Sequence, residues 1–168
     1  MTPKKRKAAW PLCLSGTLTL VLFVLMALQS APLSPAIPAI QLTFDEASFK
    51  AVLATWGAEG IKRFRTHFLI DFPFLVSYAV FGYRLARHCT PPGREGRPAY
   101  RLLAWTLPLA AALDACENLL HLAFIADGAS PMAGAYLLAG LVSTGKWLLI
   151  AAFIVGFACM RRGPDRTA

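Results

Sequence analysis

Apolar residues in this chain gather into four long runs, and polar or proline-bearing stretches separate them. Residues 12–28 are an almost unbroken run preceded by a basic leader. Residues 68–83 form a second run and residues 102–126 a third, and the fourth covers residues 133–160. Each is close to, or longer than, the roughly 20 apolar residues a helix needs to cross a bilayer. Residues 44–66 differ from these: Phe44, Ala47, Ala51 and Ala54, with Phe49, Val52, Leu53 and Trp56 beside them, give an uneven apolar face. That pattern predicts an amphipathic helix lying on the outer face, with a second role open to it as a lid. Thr43 is its expected cap, and Gly57 and Gly60 are expected to interrupt it. The three prolines between Gln29 and Thr43 predict an extended, non-helical connector. The expected fold is all-α: a four-helix transmembrane bundle, forming one domain over residues 1–168, with this interfacial helix between the first and second spans.

The third run breaks its own pattern. Asp114, Glu117, Asn118 and His121 recur at i, i+3, i+4 and i+7, one face of a helix. Such a stripe cannot face lipid, so it must meet partners or water inside the protein. Asp114 lies about 20 Å along the helix from Arg101, and Lys146 falls near the middle of the fourth run. The third and fourth helices are joined by a short turn at Asp127-Gly128-Ala129-Ser130-Pro131, so they should be antiparallel neighbours. Lys146 can then meet Glu117 or Asp114. Asp71, near the outer end of the second run and just before Pro73, falls closer to the level of Asn118 and His121. One lysine does not offset three carboxyls. Either a carboxyl carries a proton, or His121 is charged, or Arg63 or Arg65 folds down, or a ligand is cationic.

Composition supports the membrane class. The chain is 57% hydrophobic and 15% charged, against about a quarter charged in soluble domains. Its net charge of +8 invites a nucleic-acid partner, but the distribution argues against one. With both termini inside, twelve Lys and Arg flank the cytoplasmic ends, four lie outside and Lys146 is internal. This is a positive-inside topology signal, and it places the chain in the inner (plasma) membrane as a multi-pass protein. Attraction to anionic headgroups is a secondary consequence. The first run is long for a signal peptide's apolar core, so a retained helix is preferred to a cleaved leader. Cys13, Cys89, Cys116 and Cys159 have no C-x-x-C spacing and are expected to be buried small hydrophobes. His67 and His88 are expected at solvated boundaries. Trp10, Tyr83 and Trp105 suit headgroup anchoring, and Trp147 could wall a cation. Ser143 and Thr144 could line a cavity or bond to their own helix. Four glycines of the last run, Gly134, Gly140, Gly145 and Gly156, would permit close helix approach.

Asp71 with Pro73, Asp114-x-x-Glu117-Asn118 and Thr144-x-Lys146-Trp147 resemble a set found in small bacterial four-span membrane proteins. The resemblance covers the second to fourth spans, implies the four-span fold and brings no activity with it. There is a fainter similarity to the emopamil-binding-protein superfamily, whose four-helix units place acids and an aromatic around a sterol or cationic amphiphile. Lys146 departs from that pattern.

No reaction follows from these residues. The first functional expectation is binding or transport of a small amphiphile, lipid or cation. Its candidate residues are Asp71, Asp114, Glu117, Asn118, His121 and Lys146, with Asp114 or Glu117 exchanging a proton or holding the cation. The second is an enzyme acting on a lipid or isoprenoid, with Glu117 and His121 as acid and base and Lys146 as electrostatic stabiliser. The third is a structural accessory subunit whose cluster only sets helix register. A metal is disfavoured because Lys146 would compete with it, and no cofactor motif is present. The expected partners are the bilayer, a small amphiphile and a second copy of the chain.

Overall fold

The computed structural model describes residues 3–94, 96–126, 131, 132 and 134–162. Five helices follow in order: α1 (Pro3–Ser30), α2 (Ile37–Gln41), α3 (Glu46–Cys89), α4 (Pro98–Phe124) and α5 (Ala135–Arg162). Among the described residues there is no strand. All but α2 are long and apolar enough to cross a membrane. The expected turn at residues 127–130 and the tail beyond 162 lie outside the described residues, as do the side chains of Lys4 to Lys7.

α4 is the central helix. It packs against α3 on one side and α5 on the other, while α1 packs on α3. Burial follows that order: 44% of the apolar window of α4 is inside, against 6% for α1. α1 is held to α3 by polar ties along its length. Arg84 donates to the Pro11 carbonyl at 2.9 Å, Thr19 to Ser77 Oγ at 3.2 Å, and Gln29 to the Arg63 carbonyl at 2.8 Å. Most of the exposed large side chains described on it are Leu and Val.

The connector and the amphipathic stretch depart from expectation. Residues 37–41 are helical because Pro38 sits in the first turn of α2, where a missing N–H costs nothing. Asp45, not Thr43, caps α3, accepting from Ser48 N at 2.8 Å and Ser48 Oγ at 2.7 Å. Those bonds hold the Asp45 carboxyl below its usual range. Thr43 instead bonds back to the Ile40 carbonyl at 2.8 Å. Residues 44–66 do not form one separate element. α3 bends at Gly57, where φ is 61° and ψ is −172°, and residues 58–66 continue unbroken into the long helix. Gly60 does not interrupt it. That backbone geometry is open to glycine and little else. Gly57→Ala is therefore expected to destabilise the protein by about 1–3 kcal/mol. The check is its chemical unfolding midpoint in detergent.

The short arm before Gly57 closes one end of the structure instead of lying free on a surface. Phe49 is buried and sits 5.5 Å from the His121 ring, 5.3 Å from Phe124 and 5.4 Å from Tyr136. Trp56 packs on Phe64 and donates to the Pro35 carbonyl at 2.7 Å. Gly140 lets the segment before the arm approach α5, since a Cβ there would lie 2.5 Å from the Thr43 carbonyl oxygen. A second apolar core joins Leu75 and Tyr78 of α3 to Leu107, Ala110 and Ala111 of α4 and Phe153 of α5. The four cysteines are free thiols, and none is buried: Cys13, Cys116 and Cys159 are exposed and Cys89 is half-buried. Cys13, Cys116 and Cys159 lie on outward helix faces and fill no core.

Candidate functional site

Asp71 on α3, Asp114 to His121 on α4, and Ser143 and Lys146 on α5 fall between positions belonging to the two apolar cores. The structure thus encloses Asp71, Asp114, Glu117, Asn118, His121 and Lys146 in one layer. All are buried, from Glu117 at 0% exposure to Asp114 at 6%. Lys146 is at the centre and meets both acids of the α4 stripe. Its Nζ lies 3.0 Å from Asp114 Oδ1 and 2.6 Å from Glu117 Oε2. Asn118 donates to Asp71 Oδ2 at 2.6 Å, tying α4 to α3. His121 Nδ1 is 3.8 Å from Glu117 Oε1, and its ring is walled by Phe49, Phe64 and Phe124.

Two members of this layer have no place in the sequence-based set. Tyr78 donates to Asp114 Oδ2 at 3.1 Å, so Asp114 is held by α3 and α5 at once. His67, expected at a solvated boundary, is buried at 4% exposure with Nε2 3.9 Å from Asp71 Oδ2. His88 is exposed, as expected. The missed signal is helical spacing. His67 and Tyr78 stand at i−4 and i+7 from Asp71, on the same helix face. Tyr78→Phe is expected to destabilise by about 1.5–3 kcal/mol, the range for a hydrogen bond to a charged group. A double-mutant cycle with Asp114→Asn checks that the loss belongs to this pair.

The arginines do not enter the layer. Arg65 donates to the Ile125 carbonyl at 2.7 Å, satisfying the end of α4 where the helix dipole favours a cation. Arg63 lies 3.8 Å from Glu59 at the surface. Thr144 bonds back to the Gly140 carbonyl at 2.8 Å. Ser143, fully buried, faces Glu117 without a well-aligned hydrogen bond.

A cavity of about 500 Å³ reaches this layer from between α1 and α5. Phe23 and Met26 of α1, Phe74 of α3, and Trp147 and Ile150 of α5 contribute its apolar wall, and Pro38 and Gln41 of α2 reach it too. Its polar end is formed by His67, Asp71, Asp114 and Lys146. The candidate set therefore divides. Asp71, Asp114 and Lys146 line the cavity, whereas Glu117, Asn118 and His121 are enclosed behind them. Lys146 Nζ lies 5.3 Å from the centre of the Trp147 ring, which faces the same space.

The chemistry of the layer is that of charge compensation. Asp114 and Glu117 share Lys146, but Asp71 has only the Asn118 amide and the more distant His67. Asp71 is thus a cavity-lining carboxyl with no Lys or Arg partner among the described residues. An acid–base pair of Glu117 and His121 would have no access to a molecule in this cavity. No group of three or more His, Cys, Asp and Glu among the described residues is arranged to hold a metal ion. No family model, curated protein or solved structure matches the chain.

Proposed function

We propose that this chain is an integral membrane protein of the inner membrane, with four spans and both termini cytoplasmic. In this reading its cavity binds an amphiphile whose cationic head rests on Asp71. The observation that carries the reading is the cavity of about 500 Å³, apolar along its walls and ending on Asp71, Asp114 and Lys146. That volume is within the range of small-molecule sites, which combine apolar walls with a few placed polar groups. Between α1 and α5 it opens toward what would be the hydrocarbon, so an acyl or alkyl chain can enter sideways. The inside-biased Lys and Arg support the orientation.

The head group follows from charge. Three carboxyls face one ammonium in a layer shielded from water, and Asp71 is the acid that Lys146 does not contact. A cation beside Asp71 lowers the electrostatic cost of that layer, whereas an anion adds to it. Phe74, Tyr78 and Trp147 supply aromatic faces on the same side. Transport would follow if the cavity also opened at a second face.

The test compares decylammonium, decanol and decanoate at equal chain length, titrated into the purified protein in a nonionic detergent. Decylammonium is expected to bind more tightly than decanol, and decanoate least. Equal affinity for all three would remove the charge argument and leave only a greasy cleft.

A further inference from the structure

Arg84 stands where two outward-facing apolar grooves meet. One groove, of about 620 Å³, runs between α1 and α3 past Leu18 and Val76. The other, of about 270 Å³, runs between α3 and α4 past Trp105 and Pro108. Val80 and Arg84 line both. Neither groove contains a residue of the charged layer. The apolar side chains are open, with Val76 60% and Trp105 55% exposed.

We propose that this is a binding site for one diacyl anionic phospholipid, its phosphate on Arg84 and one acyl chain in each groove. The proposal rests on the membrane reading above but not on the ligand of the inner cavity. Four observations favour this occupant. Two grooves that diverge from a single cationic residue match the branching of a diacyl lipid from its glycerol. Arg84 is exposed, and among the described residues its one hydrogen bond is to the Pro11 carbonyl at 2.9 Å, which leaves most of the guanidinium's donors for phosphate oxygens. Arg87, one turn further along α3, is also exposed and adds positive charge at the same end. Tyr83 and Trp105, with ring centres 5.4 Å apart, bring the aromatic pair usual at headgroup depth. Bound this way, the lipid would cover the α1–α3 seam and help hold the least buried helix in place.

The test is native mass spectrometry of the full chain released from nonionic detergent, with phosphatidylglycerol or phosphatidylcholine of the same acyl chains added. Wild type is expected to retain phosphatidylglycerol about fivefold more than phosphatidylcholine, the effect of one arginine near a headgroup. Arg84→Gln should bring the two lipids to parity, and Arg84→Lys should keep the preference. Val80→Phe, which narrows both grooves without changing charge, should lower retention of both lipids. Glycerophosphoglycerol, which has the phosphate but no chains, should not be retained. Parity in wild type, an unchanged preference in Arg84→Gln, unchanged retention in Val80→Phe, or retention of the chainless headgroup would each overturn the proposal. A chain that alkaline carbonate strips from membranes would instead sink the membrane reading itself.

Discussion

Lys146→Met is expected to lower the unfolding free energy by about 3–5 kcal/mol, the cost of removing one partner from a buried ion pair. Lys146 is 2% exposed and its ammonium meets Asp114 and Glu117 together, so its loss leaves two carboxylates facing each other without a cation. Methionine fills much the same volume, so the effect is not a cavity effect. Glu117→Gln should cost much less, because Lys146 keeps Asp114 at 3.0 Å and Tyr78 still donates to that carboxylate. The double variant should recover a large part of the Lys146→Met loss. Chemical unfolding of the four proteins in detergent measures the coupling directly. Additive effects would show that Glu117 and Lys146 do not compensate one another. A Glu117→Gln protein more stable than wild type would show that the carboxylate is kept at a cost to stability.

The second large effect is on binding. Asp71→Asn is expected to weaken decylammonium binding by roughly 10–150-fold, the equivalent of about 1.5–3 kcal/mol for a hydrogen bond to a charged group. Stability should not fall, because the variant removes a carboxyl that Lys146 does not contact. The asparagine oxygen can still accept from Asn118, whose amide lies 2.6 Å from Asp71 Oδ2 in the native protein. Decanol binding should be nearly unaffected, since no charge is involved. Loss of both ligands with an unchanged unfolding midpoint would point to a reshaped cavity. Unchanged decylammonium affinity would exclude Asp71 as the counterion. The two experiments separate the roles within the layer: Lys146 is read through stability and Asp71 through binding.

Much of the architecture was legible before the structure. Four long apolar runs predicted four long helices, and each run lies largely within one; the first helix is extended by its basic leader and the second long helix by the amphipathic stretch before it. The third run's polar stripe is buried on the central helix. The lysine of the fourth run meets both acids expected as alternatives, because antiparallel helices joined by a short connection place Ser143 and Lys146 beside Glu117 and Asp114. The region between the first and second runs was much less legible. Its Pro and Gly residues signal interruption but not direction. Packing decided that α2 is helical, that α3 bends at Gly57 and not at Gly60, and that Phe49 and Trp56 turn inward.

The same division holds inside the layer. Periodicity alone determined that Asp114, Glu117, Asn118 and His121 share a face, because 3.6 residues per turn fixes relative angle within one helix. Only the tertiary structure decided what that face meets. Pairing Asp71 with Asn118, Asp114 with Tyr78, and Lys146 with two carboxyls depends on the rotation and axial offset between helices. Those quantities are set by side-chain packing across the whole contact, such as Gly140 against the Thr43 carbonyl, and no short stretch of sequence encodes them. For the same reason the sequence marked a cluster of six polar residues, while the fold alone divided it into three that line a cavity and three that do not.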